Sequence, residues 1–143
     1  WERIRDEILK IFTGPDPSRG LKLMLDTGIL HTILPEVAEM DGVPQPPQFH
    51  PEGDVLEHTR LLFAYSRFAN PTLALAILLH DVGKPPTFSI KERIRFDGHA
   101  ELGARMASRI CRRLRLPNYR GSCKDYVLRL RLSDVYGYTL LSV

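Results

Sequence analysis

The chain has 143 residues, 43% of them hydrophobic and 26% charged, with a formal net charge of +3. That length is ample for one core burying roughly two-thirds of the unfolded surface, and the composition excludes a disordered or fibrous chain. The longest apolar run, Leu73 to Leu79, is too short to span a bilayer and no charged-then-apolar leader opens the chain, so a cytoplasmic setting without a membrane partner is expected. Cys111 and Cys123 form neither a CxxC pair nor a framework and read as reduced thiols. A start at Trp1 rather than Met reads as a piece of a longer natural chain.

WERIRDEILKIF places Ile4, Ile8, Ile11 and Phe12 at helical spacing, and Gly14-Pro15 ends the pattern. A second helix follows, with Asp16 as cap, Pro17 in the first turn, an apolar face of Leu21, Met24 and Leu25, and Thr27-Gly28 as its stop. Ile29 to Met40 reads as a short helical stretch interrupted by proline. DGVPQPPQFHPEGD, residues 41–54, holds four prolines and reads as an ordered loop between a helical neck and the main body. From Glu52 to Ala69 the helical pattern returns with Val55, His58, Leu61, Leu62 and Tyr65 on one side, which turns His58 inward. Asn70 and Pro71 then cap and start a helix whose body, LALAILL, has no polar face and so belongs at the centre of a bundle, with Gly83 as its end. TFSIKERIRF, with Phe88, Ile90, Ile94 and Phe96 around the charged KER, reads as a short hairpin or an extended excursion. Gly98 or Asp97 caps a helix from about His99 to Leu116, with Leu102, Met106, Ile110 and Leu114 inward and Arg105, Arg109 and Arg112 outward. DYVLRLRL reads as a last helix or a strand. The fold class expected is all-α.

The central helix ends in LLHDVGKPP, where a histidine and an aspartate stand side by side, a costly way to close an apolar helix unless something binds them. His58 from the preceding helix completes a trio of imidazole nitrogens and a carboxylate oxygen, the donors that hold divalent first-row metals within bundles. Three ligands leave positions open, and hydrolysis of a phosphate ester is the reaction class such a cation supports. Mn, Ni, Mg, Co and Fe are not distinguished by these ligands. Lys84, one turn beyond Asp81, is placed to neutralise a phosphate or to complement a helix dipole. His99 is placed to bind phosphate, hold a second metal or protonate a leaving group. His50 reads as a structural hydrogen-bonder and His31 as an exposed or capping residue. A competing reading makes all these histidines buried hydrogen-bonders with no metal.

HPEGDVLEHT, LLHDVGKPPTF and IRFDGHAELGARMA, in this order and spacing, resemble the HD superfamily of metal-dependent phosphohydrolases. More narrowly they are similar to the HD domain that follows the catalytic head in some bacterial CCA-adding tRNA nucleotidyltransferases and poly(A) polymerase relatives. ERIRDEILKI and TGILHTILPEV resemble the RNA-binding neck of those enzymes, and the likeness covers roughly residues 1–118. The resemblance implies an HD-type helical bundle at residues 49–143 preceded by a short helical neck at 1–48. It implies that His58, His80 and Asp81 bind a metal and that a later aspartate closes the site, for which Asp134 is the better candidate and Asp125 the weaker. Phosphomonoesters or 2′,3′-cyclic phosphodiesters at nucleotide or RNA ends are the implied substrates, and a nucleotidyltransferase head in the same natural chain is an implied companion. Such a head uses a Gly-Ser turn and paired aspartates on a strand. Here Gly121-Ser122 is followed by Cys123-Lys124-Asp125 and no Asp-x-Asp occurs, so the chain by itself is not expected to add nucleotides.

Residues 105–131 carry nine Lys or Arg against Asp125 alone, a local balance of +8 that leaves −5 for the rest. This asymmetry suits a polyanion as partner or a solvated basic face. The alternative to the enzyme is therefore a non-catalytic body that grips RNA, tRNA in the family it resembles, through Arg105, Arg109, Arg112 and Arg113.

Overall fold

The computed structural model describes residues 1–116, and the expectations for DYVLRLRL, Asp125 and Asp134 lie outside them. The elements are α1 (Glu2–Phe12), α2 (Pro17–Asp26), α3 (Ile29–Ile33), α4 (Pro35–Ala38), α5 (Val55–Tyr65), α6 (Pro71–Leu79), α7 (Lys84–Thr87), β1 (Phe88–Ile90), β2 (Ile94–Phe96) and α8 (His99–Arg113). This is an all-α body interrupted by one hairpin, whose antiparallel register pairs Phe88 with Phe96 and Ile90 with Ile94.

Short polar side chains set the helix starts. Asp16, Asp54 and Asn70 each accept a hydrogen bond from the backbone N–H three residues on, and Pro17 and Pro71 occupy first-turn positions where the missing N–H costs nothing. The helix expected from Glu52 to Ala69 is shorter at both ends: Asp54 sets its start at Val55, and it stops at Tyr65. Its buried side is Val55, Leu56, His58, Thr59, Leu62 and Phe63, and Tyr65, expected inward, is 73% exposed. Packing overrides the wheel there: the Phe63 ring stacks on Phe12 of α1 with centroids 4.9 Å apart. Gly83 likewise does not end α6, which stops at Leu79 and is capped by His80; Gly83 precedes α7 instead.

One hydrophobic core runs through the body, from Ile8 and Phe12 of α1 and Leu21 of α2 to Phe63 of α5, Ile77 of α6 and Ile110 of α8. It continues unbroken across the proline-rich loop, because α2 lies against α5 and α1 against α6. Each fully buried Leu, Ile or Phe side chain contributes about 2 kcal/mol relative to exposure. Leu102, expected inward, is partly buried and packs at the margin of the core. No helix among the described residues is long and apolar enough to cross a membrane.

The loop of residues 41–54 is cinched at its base. Val55 donates to the Val43 carbonyl, Gln45 to the Gly53 carbonyl, and Pro44 and Asp54 form an isolated antiparallel bridge. Asp54 serves both sides of the junction, since Oδ1 caps α5 at 2.6 Å from the Glu57 N–H and Oδ2 accepts from Gly42 at 3.2 Å. The tip of the loop, with Gln45, His50 and Glu52, is thus held over the start of α5.

Candidate metal centre

Helix α5 presents His58 and the end of α6 presents His80 and Asp81. Ligand atoms of the three lie within 4.8 Å of one another, and the two imidazole centroids are 5.6 Å apart. Each histidine is oriented by a hydrogen bond from Nδ1. In His80 it goes to the Ile77 carbonyl at 2.7 Å, one of the carbonyls that the end of α6 would otherwise leave unpaired. In His58 it goes to Glu52 Oε1 at 2.6 Å. Carbonyl and carboxylate oxygens only accept, so both Nδ1 atoms carry hydrogen and both Nε2 atoms face the shared point.

Those two Nε2 atoms are buried and have no hydrogen-bond partner among the described residues. Asp81 Oδ2 comes within 3.1 Å of His80 Nε2, but off the direction a hydrogen bond requires. Buried polar nitrogens are rarely left unpaired, and a cation beside a carboxylate satisfies both at once. The donor set of two imidazole nitrogens and one carboxylate oxygen fits a divalent first-row metal.

Burial lowers the pKa of His58 to about 4, an effect reinforced by His80, so its imidazole is neutral at pH 7 as a ligand must be. Burial also opposes charge on His80, but the Asp81 carboxylate outweighs it and holds that pKa above the ordinary histidine value. Asp81 is held far below the usual carboxylate range: burial resists its charge, and His80 and Lys84 overcome that resistance.

Lys84 is buried rather than open to a ligand. Its Nζ donates to Asp81 Oδ2 at 2.8 Å and to Gln45 Oε1 at 2.6 Å, and sits 5.5 Å from the centroid of the Phe96 ring. It is the first residue of the four-residue α7 and lies beyond the end of α6 at Leu79. His99 opens α8 and donates from Nδ1 to the Phe96 carbonyl at 2.8 Å, outside the His58, His80 and Asp81 cluster. His50 bonds Glu52 through Nδ1 at 3.0 Å, and His31 is exposed. Arg105, Arg109 and Arg112 line one exposed stripe of α8 and form no ion pair among the described residues. Arg113 turns inward instead: its two terminal nitrogens each lie 2.7 Å from an oxygen of Glu36, and its guanidinium stands over the Trp1 ring.

Sequence reasoning did not single out Glu52 as the partner of His58, or Gln45 as the partner of Lys84. Both lie in the proline-rich loop, where no periodicity points to a face.

Comparison with known proteins agrees with this geometry. A family model described as "HD domain" matches residues 54–134, and one described as "Probable RNA and SrmB- binding site of polymerase A" matches residues 1–41. The chain is 36% identical over 144 residues to the "Multifunctional CCA protein" of Halorhodospira halophila, covering 99% of this chain and 34% of that protein. It is 39% identical over 124 residues to the "A-adding tRNA nucleotidyltransferase" of Deinococcus radiodurans, covering 82% of this chain and 28% of that protein. The chain therefore spans about a third of the length of the curated relatives it matches. No solved structure matches it.

Proposed function

The chain belongs to the HD domain family, in the form similar to CCA-adding tRNA nucleotidyltransferases, and on that premise we propose that it is a divalent-metal-dependent phosphohydrolase associated with tRNA 3′-end processing. Its proposed substrates are phosphomonoesters or 2′,3′-cyclic phosphodiesters at nucleotide and RNA ends. The observation that carries this reading is the pair of buried Nε2 atoms of His58 and His80, which have no hydrogen-bond partner among the described residues, beside the Asp81 carboxylate.

In this reading His58, His80 and Asp81 hold the cation, and Asp134 closes the site. A divalent cation in such a site supplies Lewis-acid polarisation of a phosphoryl oxygen and acidification of water. Lys84 keeps Asp81 ionised through its charge-assisted hydrogen bond. His99, whose Nδ1 donates to the Phe96 carbonyl, is the proposed general acid, and would protonate a leaving group from Nε2 only as the imidazolium. Residues 1–48 form the RNA-contacting neck and residues 49–143 the hydrolytic domain, with a nucleotidyltransferase head as the proposed companion in the natural chain.

Metal content and hydrolysis together test the proposal. Purified protein is analysed for bound metal beside His80→Ala and Asp81→Ala, and then assayed on a 2′,3′-cyclic nucleotide with added Ni²⁺, Mn²⁺, Mg²⁺, Co²⁺ or Fe²⁺. Wild type should carry metal and open the cyclic phosphate while both variants do neither. Equal metal content in all three overturns it, and no turnover with any ion on this nucleotide or on a nucleoside 3′-phosphate does the same.

A second reading is supported by the coverage of the site, whose His58, His80 and Asp81 side chains are 3%, 9% and 6% exposed. On that reading the chain is a non-catalytic RNA-binding body, and the exposed stripe of Arg105, Arg109 and Arg112 contacts phosphates. Salt-dependent tRNA affinity without hydrolysis would favour it.

A further inference from the structure

We infer that Glu52 is a positioning residue for the metal centre: its carboxylate takes the Nδ1 proton of His58 and so commits the Nε2 lone pair of that ring to the point shared with His80 and Asp81. The inference rests on the reading of those three residues as ligands and extends it to a residue outside them.

An imidazole buried with no partner can carry its proton on either nitrogen, and only one choice leaves a lone pair facing a cation. An acceptor-only carboxylate 2.6 Å from Nδ1 removes the choice. Glu52 is itself held from two directions. The loop that carries it is fastened at Asp54 and Val55, and His50 donates from its own Nδ1 to the same Oε1 at 3.0 Å. The His50 ring stands nearly edge-on to His58, with centroids 4.9 Å apart and an interplanar angle of 80°. Both rings thus point a proton at one oxygen, and the carboxylate cannot swing away without losing both bonds.

The trio of His50, Glu52 and His58 also brings its ligand atoms within 4.8 Å, which raises the possibility of a second cation in place of protons. Its spacing argues for protons. Two ligands each about 2.1 Å from one tetrahedral ion are separated by about 3.4 Å. The observed 2.6 Å between His58 Nδ1 and Glu52 Oε1 is the length of a charge-assisted hydrogen bond.

The test reads the proton and the metal separately. Long-range ¹⁵N NMR of the metal-free protein at neutral pH should find His58 protonated at Nδ1 and bare at Nε2. Glu52→Ala should mix or invert that tautomer and weaken Mn²⁺ binding, followed by titration, by about 10- to 100-fold. Glu52→Gln, which keeps an acceptor oxygen in place, should retain the tautomer and recover most of the affinity. A wild-type His58 protonated at Nε2 would overturn the inference. So would a Glu52→Ala protein with unchanged tautomer and affinity, or a second equivalent of Mn²⁺ that alone disappears in that variant. A wild type that takes up no Mn²⁺ defeats the metal reading, while the NMR result still decides the role of Glu52 on His58.

Discussion

Gly83 and Gly103 meet backbone against backbone where α7 begins and α8 passes. A Cβ added at Gly83 would collide with the His99 carbonyl oxygen and lie 2.7 Å from the Gly103 nitrogen, and both obstacles are backbone atoms that cannot rotate aside. The same addition at Gly103 meets the Gly83 nitrogen at 3.3 Å, a tight contact but not a collision. Gly83→Ala is therefore expected to destabilise by about 2–3 kcal/mol. Gly103→Ala should cost far less, because better helix propensity offsets the contact by up to about 1 kcal/mol. Urea unfolding of the two variants checks the order, and equal losses would contradict the close approach.

Lys84 is the permanently charged partner of a buried carboxylate that otherwise has only His80 beside it, so removing it leaves Asp81 short of compensating charge. Lys84→Met should destabilise the metal-free protein by about 3 kcal/mol, in line with other buried pairs broken on one side. If a cation sits beside Asp81, saturating Mn²⁺ supplies the missing positive charge and narrows the gap between variant and wild type. Unfolding curves in EDTA and in Mn²⁺ make the comparison, and a gap indifferent to metal would count against the centre.

The Arg113 guanidinium holds the Glu36 carboxyl below its ordinary value of 4.5, with burial opposing it. A carboxyl whose folded pKa is depressed contributes stability that is present above its unfolded pKa and lost as pH falls through the folded one. The pair is about a quarter exposed, which limits its worth to about 1 kcal/mol. Glu36→Gln should therefore lower stability at pH 7 by about that amount, and the difference from wild type should close below the folded pKa. A gap that stays constant from pH 7 to pH 3 would mean that charge is not its cause.

Arg105, Arg109 and Arg112 fall at i, i+4 and i+7 on the exposed side of α8, whereas Arg113 is engaged by Glu36 and the Ile33 carbonyl. On the proposed RNA-binding reading, replacing any of the first three by Gln should weaken tRNA binding and reduce the slope of log affinity against log salt by about 1. Arg113→Gln should lower thermal stability and leave that slope nearly unchanged. Fluorescence anisotropy across a potassium chloride series distinguishes the two behaviours.

Much of this molecule was legible along the chain because local rules dominate there. Asp16, Asn70, Pro17 and Pro71 mark helix starts by chemistry that acts within one turn, and the apolar body of α6 admits only a central position. The His80-Asp81 doublet was visible for the same reason: two donors at the end of an apolar helix demand a partner wherever that helix lies. Tyr65 shows the limit, since a wheel assigns a face but the stacking of Phe63 on Phe12, 51 residues away in sequence, decides which face is buried.

The sequence by itself thus determined most helix starts, the central place of α6 and the histidine and aspartate side chains proposed as donors, and it left residues 87–96 open between a hairpin and an extended excursion. Only the tertiary structure decided what holds those donors. It set the Glu52 oxygen on His58 and Gln45 on Lys84, turned Arg113 away from solvent, and pressed Gly83 onto Gly103. The physical reason is range: caps and periodicity act over three or four residues, whereas these pairings depend on where a proline-rich loop without periodicity closes and on which surfaces the core brings together.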